Sequence, residues 1–170
     1  MDHLPASPNA RVRQVNVPPD ARCLSTLSPI GYQDAYLVNT GSDHELTAEE
    51  WTRAIMKGAP RTVQAKLSVG WSMIGLKVLR GASDRSVLGW QMRRCEPDYV
   101  LLGAESRIGM PGELLFKREH GGLLFATFVA HQTLLAGMVW LAVEPTHVRI
   151  VRRILEQASR RLDQPTQPLT

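Results

Sequence analysis

Two histidines and a tyrosine are the side chains of this sequence best suited to moving protons. His147 follows a proline within an apolar segment, and His131 closes the apolar run Leu123 to Ala130. An imidazole in either place can titrate near neutrality and act as general acid or base. The plainer alternative gives His147 a carbonyl freed by Pro145 as its partner and turns His131 to solvent. Tyr99 opens another apolar run and offers a phenol. The five histidines show no HExxH or comparable spacing, so no metal site is expected. Ser68, Ser72 and Ser106 lack the strand-to-helix elbow of a hydrolase nucleophile. The stretches GASDRS and GGLLFAT match neither a P-loop nor a dinucleotide fingerprint, and no cofactor is expected. Glu49-Glu50, and Glu113 with Glu119, read as capping and strand-edge charges rather than as an acid/base pair.

The elements that must position these residues follow from hydrophobic period. Val12 to Val17 has the makings of a short edge strand in an otherwise irregular stretch from Ala10 to Pro29. GYQDAYLVN, residues 31 to 39, is a β-favouring run ending in the turn signal Asn39-Thr40-Gly41. Thr47-Ala48-Glu49-Glu50 is a capping box that opens a short helix carrying Trp51, Ala54 and Ile55 and broken at Gly58-Ala59-Pro60. Val63, Leu67, Trp71, Ile74 and Val78 then recur at helical steps, which predicts a second helix ending near Gly81.

From Val87 the period falls to two, with Leu88, Trp90 and Met92 on one side. Tyr99 to Ala104, residues 113 to 119 and residues 123 to 132 follow as strands joined by short turns, an antiparallel meander. Leu134 to Val143 is apolar nearly all round, and Val148, Val151, Leu155, Ala158 and Leu162 continue at helical spacing, so one long helix bent or interrupted at Pro145 is predicted. Arg152, Glu156 and Arg160 stand at pairing distance along its outer side. An antiparallel sheet with one face to bury and a long helix to cover it is an α+β architecture.

Bulk properties agree with this. The chain has 170 residues, of which 44% are hydrophobic, which fits one globular domain over residues 11–162 with polar, proline-containing tails at 1–10 and 163–170. A net charge of +4 is mild, and the arginines from Arg149 to Arg161 alternate with apolar residues as on a solvated helix face, so nucleic acid is not the expected partner. Cys23 and Cys95 lie far apart without CxxC spacing, as in a reduced compartment. The start MDHLPASPNA lacks the pattern of a secretory signal, and the apolar run before Glu144 is too short to span a bilayer, so a cytoplasmic monomer or homodimer is expected.

Tyr32, Asp34 and Ala35, then Trp51, Leu102-Gly103, and finally Gly137, Trp140, Val143, Pro145, His147 and Ile150-Val151-Arg152-Arg153 carry a resemblance. Residues 31–162 resemble an uncharacterised bacterial family of the START-like (SRPBCC) superfamily, the helix-grip fold that includes polyketide cyclases and aromatases, lipid-transfer domains and plant pathogenesis-related proteins. Members of that family are sometimes fused to epimerase domains similar to short-chain dehydrogenases. Met138 and Thr146 depart from its pattern, which tends to a basic residue after the glycine and a bulky one between proline and histidine.

The resemblance implies a space between sheet and helix that takes apolar small molecules. Trp71, Leu88, Trp90, Met92, Leu102, Phe116, Phe125, Met138 and Trp140 are the candidates to line it, with ordinary core packing as the alternative for each. The expected function is binding of a hydrophobic small molecule, lipid or polyketide-like. A cyclase or aromatase acting in the same cavity, with His131, His147 or Tyr99 moving protons, is the enzymatic alternative. Docking of the basic C-terminal helix on a protein or membrane surface is the third.

Overall fold

Short apolar, β-favouring runs set the strands, and a change to the helical period sets what covers them. The computed structural model describes residues 11–39, 46–78 and 83–162. In chain order the elements are β1 (Val12–Val15), α1 (Pro19–Leu24), β2 (Ile30–Asn39), α2 (Ala48–Lys57), α3 (Arg61–Met73), β3 (Leu76–Lys77), β4 (Ser86–Val87), β5 (Trp90–Cys95), β6 (Tyr99–Ser106), β7 (Gly112–Glu119), β8 (Gly122–Ala130) and α4 (Leu134–Leu162). The described strands form one eight-stranded, curved antiparallel sheet in the order β1-β2-β8-β7-β6-β5-β4, with β3 on the far end of β6. The α+β class with a long C-terminal helix is therefore present. Both predicted tails and the turn at Thr40-Gly41 lie outside the described residues.

The inner face of the sheet presents Tyr36, Val38, Trp90, Val100, Leu102, Phe116 and Phe125 to α2, α3 and the second half of α4. Phe116 and Phe125 meet edge to face with centroids 5.1 Å apart. Each such buried side chain contributes roughly 1.5 to 3 kcal/mol. The outer face is also covered. Leu101, Leu115, Leu124, Ala126 and Phe128 pack against Ala21, Leu24 and Leu27 of the N-terminal segment, which contains the helix α1 where an irregular chain was expected.

Two other expectations need correction. The second helix stops at Met73, and Gly75 takes a left-handed φ of 81° that turns the chain into β3; the expected end near Gly81 lies outside the described residues. Leu88 does not belong to a strand: with φ of 49° and 85°, Leu88 and Gly89 form a two-residue hairpin turn between β4 and β5. The single long C-terminal helix is present as expected: α4 runs through Pro145 over 29 residues, about 43 Å at 1.5 Å per residue. By length and composition alone the whole of α4 could cross a bilayer, although the apolar run before Glu144 is by itself too short, and the inner side of the helix is packed on the sheet. The capping box at Thr47 and Glu50 forms as predicted, with Thr47 Oγ1 accepting from the Glu50 amide and Glu50 Oε2 accepting from the Thr47 amide.

A buried carboxylate fastens the N-terminal segment to the outer face. Glu113, read above as an isolated strand-edge charge, is fully buried. Its Oε2 accepts from Ser25 Oγ at 2.6 Å and from the Thr26 amide at 2.9 Å, and its Oε1 accepts from Thr26 Oγ1 and from Arg93 Nη1 at 2.8 Å. Arg93 reaches it because the β5–β6 register slips between Met92 and Arg94, leaving Arg93 on a bulge. Its guanidinium crosses Gly103, the cross-strand neighbour of Glu113, where an added Cβ would stand 1.9 Å from Nε.

Candidate functional site

Alternate residues of a strand share a face, so Tyr32, Asp34 and Tyr36 of β2 all point toward α4. Thr127 of β8 is the direct partner of Asp34 and joins them on that face. Trp140 and His147 lie seven residues apart on α4, two helical turns, and come down onto the same spot. The rings of Tyr32 and Trp140 are 4.6 Å apart, those of Trp140 and His147 5.2 Å, and those of Tyr32 and His147 5.9 Å. Met110, Val129, Ala136, Val139 and Val143 make the apolar wall around them.

Asp34 is 5% exposed and sits at the centre. Its Oδ2 accepts from the Tyr32 hydroxyl at 2.9 Å and lies 3.4 Å from His147 Nε2, an ion pair whenever the imidazole is protonated. That distance is too long and misaligned for a good hydrogen bond, so His147 Nε2 remains orphaned. Asp34 Oδ1, Tyr36 Oη, Thr127 Oγ1, Trp140 Nε1 and His131 Nε2 are likewise buried without a partner among the described residues. Native interiors leave few such groups, each costing about 1 to 3 kcal/mol; here six of them, Asp34 Oδ1 included, gather on Asp34 and the side chains of its cluster.

His131 is held beside this cluster, 6.3 Å from the Trp140 ring. Gly31 makes room for it: an added Cβ there would stand 2.4 Å from His131 Cγ and Nδ1. On the helix side, by contrast, a Cβ at Gly137 would meet only His131 Nδ1, at an ordinary contact distance of 3.9 Å.

Burial, and next the charge of Asp34, push the phenols of Tyr32 and Tyr36 above their ordinary range. Both therefore stay protonated and able to donate through neutral and mildly alkaline pH. A phenol whose folded-state pKa is raised binds its proton more tightly than in the unfolded chain. The resulting stability is full below about pH 10, the ordinary phenol value, and is lost as pH rises beyond it. Melting temperature is expected to fall above that pH, and less steeply in Tyr32→Phe/Tyr36→Phe; equal slopes for variant and wild type would exclude these phenols as the cause.

The residues singled out from sequence divide into four groups. Trp71, Trp90, Met92, Leu102, Phe116 and Phe125, with Leu88 from its turn, gather in the inner core, Trp71 against Trp90 edge to face at 5.4 Å. Trp140 belongs instead to the polar cluster under the first half of α4. Met138 is corrected: it is turned to solvent on the outer side of α4 and lines no space beneath it. Tyr99 is corrected too, since it packs on the outer face of the sheet, across from both histidines. Asp34, Tyr36 and Thr127 escaped the search for chemistry, although Tyr-x-Asp-x-Tyr on a strand already announces an acid between two phenols on one face.

An open groove of about 480 Å³ lies elsewhere, along Arg22, Cys23, Leu27, Ser28, Pro29 and Ile30, and contains none of these residues. No protein-family model and no curated protein matches the chain. Among solved structures, the crystal structure of CalU16 from Micromonospora echinospora is similar at 13% identity over 78% of this chain and 87% of that one, with a TM-score of 0.28. A likeness at that score carries no argument about fold or function.

Proposed function

We propose that this chain is a START-like, helix-grip binding domain that holds a hydrophobic small molecule, lipid or polyketide-like, between the sheet and α4. The observation that carries the reading is the set of orphaned polar atoms around Asp34 inside an otherwise apolar wall. A guest with a hydroxyl or similar head would meet Asp34 Oδ1, Tyr36 and Thr127, while its apolar body packs against Trp140, Val139 and Val143. Native mass spectrometry of the purified chain, followed by organic extraction, tests this. Recovery of a defined apolar compound with at least one polar group supports it, and a chain that carries and takes up no such compound counts against it.

The line Tyr32–Asp34–His147 favours a second reading, an enzyme that cyclises or dehydrates its guest. Asp34 would orient His147, which would move the proton, and the surrounding apolar wall would keep water out. Incubating the recovered compound with wild type and with His147→Asn or His131→Asn separates the two. A carrier returns the compound unchanged in every case. A cyclase returns a ring-closed or dehydrated product from wild type alone, with the variants still binding the starting compound.

A further inference from the structure

The outward side of α4 changes character along its length. Starting at Met138, the outward positions are Ala142, Arg149, Arg153 and Arg160, at steps of four, seven, four and seven, and all are exposed. Residues 134–143 contain no charged side chain. There Leu134 is 90% exposed, with Leu141, Met138 and Leu135 beside it, and Met73, at the end of α3, is 82% exposed. Ile74 next to Met73 packs into the same cluster as Ala136 and Trp140, which brings the end of α3 close to the start of α4.

Beyond Pro145 the side turns basic. Among the described residues none of Arg149, Arg152, Arg153, Arg160 and Arg161 has a carboxylate within ion-pair distance, although Glu156 stands four residues from both Arg152 and Arg160. Arg149 bonds Pro145 O and Thr146 Oγ1, and the Arg161 Nε bonds Gln157 O. The predicted pairs with Glu156 thus do not form, and positive charge is left without compensation beside an apolar surface.

We infer that this side of α4 docks the domain on an anionic membrane surface. Leu134, Met138 and Leu141, joined by Met73, enter the boundary between headgroups and acyl chains, and Arg149, Arg153 and Arg160 meet lipid phosphates. A soluble protein partner fits less well. Protein interfaces centre on aromatic anchors, and the exposed large apolar residues here are all aliphatic or methionine, with Trp140 turned inward. The helix lies along the membrane plane rather than across it, because Ala136, Trp140, Leu155 and Ala158 remain committed to the sheet.

Flotation of the purified chain with vesicles tests this, using phosphatidylcholine alone and an equal mixture of phosphatidylcholine and phosphatidylserine, each at low and high salt. The chain is expected to float with the mixed vesicles, to lose most of that binding at high salt, and to bind neutral vesicles weakly. Met138→Glu/Leu141→Glu abolishes flotation. Arg149→Gln/Arg153→Gln/Arg160→Gln weakens it by roughly fivefold per arginine and flattens the salt dependence. Wild type that ignores lipid composition and salt overturns the inference even if neither variant folds. So does a concentration-dependent dimer, seen by light scattering and dispersed by Met138→Glu/Leu141→Glu, in a chain that no vesicle captures, which would assign this side to a second copy.

Discussion

Arg93→Met is expected to lower stability by roughly 3 to 5 kcal/mol, because it strips from a fully buried carboxylate its only cationic partner among the described residues while keeping the apolar stem. For a chain of this length that is a fall of roughly 10 °C in melting temperature. Three donors from Ser25 and Thr26 stay on Glu113 and hold the loss toward the lower figure. Gly103→Ala should reach the same result by another route, since its Cβ would occupy the path of the guanidinium. The double variant Arg93→Met/Glu113→Gln should recover part of the loss, because the uncompensated charge is gone. Denaturant titrations decide it: an Arg93→Met chain within about 1 kcal/mol of wild type would show that the Glu113 network contributes little.

Asp34→Asn is expected to do the reverse, leaving the fold intact and emptying the site. Asparagine has the same shape and can still accept from Tyr32, so melting temperature should hold or rise as a poorly paired buried charge is removed. Binding of the compound recovered from wild type should weaken by roughly 2 to 5 kcal/mol, the range for removing one partner of a buried charged contact. Calorimetric titration of delipidated chain measures the second effect and thermal unfolding the first. Retained affinity with lost stability would make Asp34 a structural residue and remove the basis for the proposed pocket. This contrast between Asp34 and Glu113 rests on their partners: one acid has three hydroxyl and amide donors and a guanidinium, the other a phenol and a badly aligned imidazole.

Much of the fold was legible in the sequence where one physical rule acts locally. The β-favouring run of residues 31 to 39, the capping box at Thr47 and the stripe from Val148 to Leu162 each depend only on neighbours a few positions away, and each gives the element expected. Leu88 was misread because a left-handed leucine is rare and its alternation with Trp90 and Met92 mimics a strand. Glu113 was misread because its partner Arg93 arrives by way of a bulge, and a one-residue slip leaves no mark in composition. The site suffered from the same limit. His131 and His147 stand out by type, but Asp34 becomes interesting only when β8 supplies Thr127 beside it and α4 lowers His147 over it. Tyr99 illustrates the converse, since a period of two shows which residues share a face and not which face the long helix covers.

The placement of β2 between β1 and β8 has one more consequence. Ile30 pairs with Ala130 and Asn39 with Gly122, so the seam next to the β1 edge of the sheet joins strands about 90 residues apart in sequence. During synthesis the β1–β2 pair must wait as an orphan ribbon, its edge unclaimed, until residues 122–130 have left the ribosome. Such late ring-closing pairings make for slow, all-at-once assembly, and a chain cut short before β8 would keep neither the seam nor the polar cluster that straddles it.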